Sequence, residues 1–120
     1  MSEMQMGVIE SRFADIIWQN EPVATTELVK LSQQELNWKK TTTYTVLKRL
    51  CDKGIFRNDG GTVTSVISKS EFYSVQSEKF VDETFGGSLP AFLAAFSVRK
   101  SLSREAIDEL RRMVAEFEEE

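Results

Sequence analysis

Residues 37–54 read NWKKTTTYTVLKRLCDKG. Two lysines lead, three threonines and a tyrosine follow, an apolar stripe is threaded with Lys48, Arg49 and Lys53, and a glycine closes the run. At helical spacing Thr43, Leu47, Leu50 and Gly54 fall near one line, with Val46 beside it, so this line is expected to pack inward. Thr41, Thr45, Lys48, Arg49 and Asp52 point the other way, flanked by Thr42. One face packs, and the other presents hydroxyls and positive charge.

A helix of this kind suits the major groove of DNA. Its N-terminus offers unpaired backbone N–H groups to phosphate. Short hydroxyl side chains approach base edges closely, and threonine also meets the thymine methyl group. An ordinary amphipathic helix with a solvated basic face shows the same pattern, so the rest of the chain has to decide.

The 120 residues suffice for one compact domain, or a small domain with an appendage, and 41% apolar content can build a modest core. The formal charge of −4 runs against nucleic-acid binding, but its distribution does not. Residues 39–57 carry Lys39, Lys40, Lys48, Arg49, Lys53 and Arg57 against the single acid Asp52. From Ser101 onward Glu105, Asp108, Glu109, Glu116, Glu118, Glu119 and Glu120 outnumber Arg104, Arg111 and Arg112. A duplex feels the local field rather than the total. Cys51 is the sole cysteine, so neither an internal disulfide nor a multi-cysteine metal site can be built, and a half-buried reduced thiol is expected. The opening residues lack a secretory pattern, and no apolar run approaches a membrane span, so a cytoplasmic protein without a membrane partner is expected.

Around the central segment the pattern is helical. Ile9, Phe13, Ile16 and Ile17, bordered by Trp18, predict a first helix over residues 8–19, broken by Asn20, Glu21 and Pro22. Val23 is a short extended residue. Thr25 is the expected N-cap of a second helix carrying Leu28, Val29, Leu31 and Leu36, and a turn near Asn37 leads to the third. After it, Ile55, Phe56 and Arg57 read as extended, Asn58, Asp59, Gly60 and Gly61 as a turn, and residues 62–67 as a β-branched strand. Two helices, a basic third helix and a hairpin form the order of a winged helix-turn-helix.

Ser70 is the expected cap of a fourth helix anchored by Phe72, Phe80 and Val81 and stopped by Gly86 and Gly87. The boundary between DNA-facing and assembly regions is placed near Val75, giving a winged-helix domain over 1–75 and a helical dimerisation region over 76–120. Ser88 caps the next helix, with Pro90 in its first turn. Ser103 caps the last, and Leu102 is set to pack on Ile107 as a hydrophobic staple. Ile107, Leu110, Val114 and Phe117 repeat at the spacing of a helical seam. With Phe85, Leu89, Phe92 and Phe96 they are too apolar to stay wet, at roughly 25 cal/mol per Å² of exposed apolar surface. Burial against a second copy, in preference to folding back on the first helix, predicts a homodimer presenting two recognition helices to two half-sites. The fold class expected is therefore mainly α with a small β-hairpin.

These segments resemble the penicillinase-repressor family of winged-helix transcription regulators. The resemblance lies in IIW (residues 16–18), the central segment, the hairpin before ISKSEF, FGGSLPAFLAAF (85–96) and LSREAIDEL (102–110), in that order over nearly the whole chain. It implies a dimeric repressor on a dyad-symmetric operator, with the last helices as the interface. By position Thr41, Thr42, Tyr44 and Thr45 match the family's groove-facing stretch, and Lys39, Lys40, Lys48 and Arg49 its basic neighbours. Lys39 and Lys40 are expected to neutralise phosphates, adding affinity without sequence choice.

Three departures stand out. Family members released by a sensor protease are cut at an Asn–Phe bond; here the pair is Ala95–Phe96, which leaves the releasing protease or other sensor open. No cysteine follows Cys51, which excludes release through the paired-cysteine motif of the copper-responsive branch. The wing lacks the usual basic and aromatic residues, leaving Arg57 and Asn58 as its phosphate candidates. A competing reading is a winged-helix module for protein–protein assembly without DNA binding. Catalysis is not expected. The chain has no histidine and no phosphate-binding glycine loop, and the neighbours Asp82 and Glu83 point apart on a helix. No cofactor or metal is expected.

Overall fold

The computed structural model describes residues 6–119. These form α1 (Val8–Asn20), β1 (Val23–Ala24), α2 (Thr25–Leu36), α3 (Lys40–Asp52), β2 (Phe56–Asp59), β3 (Thr62–Ser65), α4 (Lys69–Phe85), α5 (Leu89–Arg99) and α6 (Arg104–Glu118). The chain divides between Ser77 and Glu78 into two compact units, with α4 running through the boundary.

The first unit is a winged helix. Phe13, Ile16 and Ile17 of α1, Leu28 of α2, Val46, Leu47 and Leu50 of α3, and Phe56 and Val63 of the hairpin share one buried cluster. Apolar residues spaced for a helix and for a strand thus meet at a common core. Asn37, at φ 57°, takes the left-handed conformation that ends α2, and the peptide turns toward α3 there.

The hairpin is tighter than its composition predicts. Asn58 and Asp59 are strand residues, not turn residues, because Asp59 pairs directly with Thr62. Only Gly60 and Gly61 turn, at φ 57° and 94°. Two successive positive φ angles are what a two-residue hairpin of matching twist demands, and glycine meets that demand without a Cβ penalty. β3 ends at Ser65 rather than continuing to Ile67. Val23 is more than an isolated extended residue. It pairs with Val63, so β1 adds a third antiparallel strand in the order β1-β3-β2.

That pairing also moves a cap. Ala24, not Thr25, stands at the N-cap of α2, with no side-chain cap bond. The Thr25 N–H donates instead to the Gly61 carbonyl at 2.9 Å. The sheet thus pairs the first N–H of the helix, one of the donors that helical geometry leaves unmatched. At α4 the cap is Ser68 rather than Ser70: its Oγ accepts from the Glu71 N–H at 3.1 Å. Gly54 departs as well. It lies past the end of α3, exposed and at φ 83°, and so closes the helix instead of lengthening its buried line.

Two polar contacts tie the hairpin and α4 to α1. The Glu21 carboxylate accepts from the Ser65 N–H at 2.8 Å and from its hydroxyl at 2.8 and 2.9 Å. Lys69 lies 2.9 Å from Asp15, and this hydrogen bond, with the charge behind it, raises the Lys69 pKa above its ordinary value.

In the second unit Ser88 caps α5 by accepting from Ala91 N–H at 3.1 Å, and Ser103 caps α6 by accepting from Ala106 N–H at 3.0 Å. Phe80, Phe85, Phe92 and Phe96 form a chain of ring contacts at 5.7–6.1 Å between centroids. Even so, no residue of α5 or α6 is buried.

Candidate nucleic-acid interface

The outer face of α3 is held by its inner one. Thr43, Val46, Leu47 and Leu50 are buried. At helical pitch this leaves Thr41, Thr42, Tyr44, Thr45, Lys48 and Arg49 exposed together. Lys39 occupies the N-cap with no side-chain cap bond, so the first-turn N–H groups point outward without a side-chain acceptor. The hydroxyls of Thr41 and Thr42 have no partner among the described residues. Thr45 donates its hydroxyl proton to the Thr41 carbonyl at 2.9 Å and keeps its oxygen as an acceptor. Lys40 Nζ lies 6.0 Å from the Tyr44 ring centroid, within cation–π range.

Two depressions flank this face. Thr45, Lys48, Arg49, Asp52 and Lys53 line one of about 490 Å³. Tyr44, Leu47, Lys48, Cys51 and Asn58 line the other, of about 350 Å³, between α3 and β2. Tyr44, Thr45, Lys48 and Arg49 of α3 line these depressions, and Asn58 of the wing borders the second. Asn58 is partly engaged inside the turn, where its Oδ1 accepts from the Gly61 N–H at 3.0 Å. Burial, reinforced by the Asp52 charge, raises the Cys51 pKa above its ordinary value against the opposing pull of Lys48. The thiol stays protonated at neutral pH.

The cations are less available than the sequence suggests. Lys48 lies 3.2 Å from Asp52, and Arg57 lies 3.1 Å from Asp59. Arg49 lies 3.3 Å from Glu10 of α1, and Lys53 lies 3.8 Å from the same oxygen. Glu10 is itself fixed, because its other oxygen accepts from the Gly7 N–H at 3.1 Å. Partial burial of Glu10 opposes ionisation. The Gly7 and Arg49 hydrogen bonds and the Lys53 and Arg49 charges outweigh it and hold the carboxyl below its ordinary value. Lys39 and Lys40 have no carboxylate partner among the described residues. Local pattern does not pair Glu10 with Arg49 or Asp59 with Arg57. Asp59 reads as a turn residue, and Glu10 stands 39 positions from Arg49 in the chain.

In the second unit Ile107, Leu110 and Val114 line a groove of about 330 Å³ with Leu102 and Arg111, and its wall is almost wholly apolar. Leu89, Phe96, Val114 and Phe117 are 54%, 43%, 53% and 62% exposed. Phe85 and Phe92 are half-buried in the ring chain. Ala95–Phe96 lies within α5. No helix among the described residues is long and apolar enough to cross a membrane.

A family model described as penicillinase repressor matches residues 6–116. The penicillinase repressor of Bacillus licheniformis is 28% identical over 116 residues, covering 93% of this chain and 91% of that protein. The methicillin resistance regulatory protein MecI of Staphylococcus aureus is 25% identical over 114 residues, covering 92% and 93%.

Proposed function

Because the chain belongs to the penicillinase repressor family, we propose that it is a transcriptional repressor that binds duplex DNA as a homodimer on a dyad-symmetric operator in the cytoplasm. The observation that carries this reading is the outer face of α3. Its three exposed threonines stand beside Lys39 and Lys40, on a helix whose opposite side is locked into the core. Thr41, Thr42, Tyr44 and Thr45 face base edges in this reading, while Lys39, Lys40, Lys48, Arg49 and Arg57 face phosphates. The winged helix, up to about residue 75, is the DNA-binding part.

Residues from about 76 onward are the assembly part. Phe85, Leu89, Phe92, Phe96, Ile107, Leu110, Val114 and Phe117 supply an apolar surface that α5 and α6 leave uncovered. A second copy covers it and sets two recognition helices about one helical turn apart. Release by proteolysis would have to act at a pair other than Asn–Phe, since Ala95–Phe96 stands in that position.

The pairing of Lys48, Arg49 and Arg57 with carboxylates favours a second reading, an assembly module that binds no DNA. Titration of a labelled duplex pool against salt separates the two. A repressor binds at low salt and loses affinity steeply as salt rises, since bound phosphates release counterions. Background binding to every duplex at low salt would favour the assembly module.

A further inference from the structure

The acids around α3 form a pattern that a groove-binding face does not require. Four cations border the outer face of α3 and the wing: Lys48, Arg49, Lys53 and Arg57. Each lies within 4 Å of a carboxylate, at 3.2, 3.3, 3.8 and 3.1 Å. Three acids do this from three different places. Asp52 is one turn further along α3, Asp59 is two residues along β2, and Glu10 reaches across from α1. Lys48, Arg49, Lys53 and Asp52 rim the same depression as Thr45, so the Lys48–Asp52 pair and the two cations held by Glu10 lie on the candidate DNA surface, while Arg57 and Asp59 belong to the wing strand β2.

We propose that Glu10, Asp52 and Asp59 are built-in counterions that hold down the affinity of this face for any duplex, leaving Lys39 and Lys40 to supply most of the phosphate attraction. This rests on the DNA-binding reading above. Glu10 is the strongest member, because it is placed before any ligand arrives. The Gly7 N–H fixes one of its oxygens, and its side chain is only 18% exposed. Asp52 and Asp59 are 68% and 72% exposed, so as stabilising ion pairs they contribute little. Their effect lies in what they do to an incoming phosphate. A carboxylate beside a cation must be displaced or endured, and either reduces the gain from neutralising that phosphate. Phosphate contacts carry no sequence information. The counterions therefore lower random and operator affinity by the same factor, and base-edge contacts are left to decide where the protein rests.

The test measures binding of the full chain to a labelled random duplex and to a selected high-affinity duplex, across a salt series. The proteins are wild type, Glu10→Gln, Asp52→Asn and Asp59→Asn. Glutamine keeps an acceptor for the Gly7 N–H, and the exposed Asp52→Asn keeps the test available should the α1 variant fail to fold. Each variant is expected to bind both duplexes several-fold more tightly. Its plot of log affinity against log salt should steepen by up to about 0.9 per cation released. Asp52→Asn in a Lys48→Gln background separates local pairing from a general change in charge, because the gain should vanish there. Unchanged affinity and slope in the single variants would overturn the proposal while leaving DNA binding intact. So would a gain from Asp52→Asn that persists without Lys48. Wild type that binds no duplex at low salt would instead overturn the DNA-binding reading itself.

Discussion

The indole N–H of Trp18 donates to the carbonyl of Ile67 at 3.1 Å, joining α1 to the segment that leads into α4. The same ring packs at a tilt against Phe56, Phe72 and Tyr73, with centroids 5.2, 5.8 and 6.3 Å away. One side chain thus packs the hairpin and α4 against α1 while pairing a carbonyl between them. Trp18→Phe keeps most of the aromatic contact and strands that carbonyl. The expected cost is about 1–3 kcal/mol, read as a lower urea midpoint with little change in slope.

Thr42→Ala and Thr45→Ala should leave folding intact, since both side chains are exposed. In the proposed function they lose about 1–3 kcal/mol of discrimination between operator and random duplex. Competition binding against random DNA measures this. An equal loss on both duplexes would remove these threonines from the base-reading role.

Leu110→Glu places a charge in the apolar groove of α6. If that groove is covered by a second copy, the variant should sediment as a monomer and bind the operator more weakly. Phe96→Glu, on α5, should do the same. A dimer that survives both substitutions would place the interface elsewhere.

Glu10 predicts a dependence on acid. Its carboxyl titrates below the ordinary value of 4.5 in the folded chain. Between the two values the unfolded chain binds a proton that the folded chain does not, so stability falls as pH falls. The contribution is complete above the ordinary value and is lost as pH drops through the folded one. Urea midpoints of wild type and Glu10→Gln should therefore differ at neutral pH and converge toward acid. A constant gap would mean that the Arg49 and Lys53 contacts do not act through the charge of Glu10.

Much of this architecture is written in local pattern. The buried line of α3 follows from the spacing of Thr43, Val46, Leu47 and Leu50, and the caps at Ser88 and Ser103 follow from a hydroxyl ahead of an apolar run. What local pattern misses is set by partners distant in sequence. Thr25 looks like a cap until Gly61 arrives to accept its N–H. Ser70 reads as the cap of α4, but β3 ends at Ser65 and the helix starts early enough that Ser68 takes that place. Glu21 reads as part of a helix break, yet it holds Ser65 across 44 positions. The charge on the recognition face is the clearest instance. Composition shows six cations against one acid in residues 39–57. Folding brings Glu10 from α1 to Arg49 and turns Asp59 toward Arg57.

Selection of bound duplexes from a random pool tests most directly whether two copies set two α3 helices into one operator. The expected winners carry two inverted half-sites with centres about 10 base pairs apart, or a multiple of that spacing. Enrichment of a lone half-site, or of no sequence at all, would contradict it.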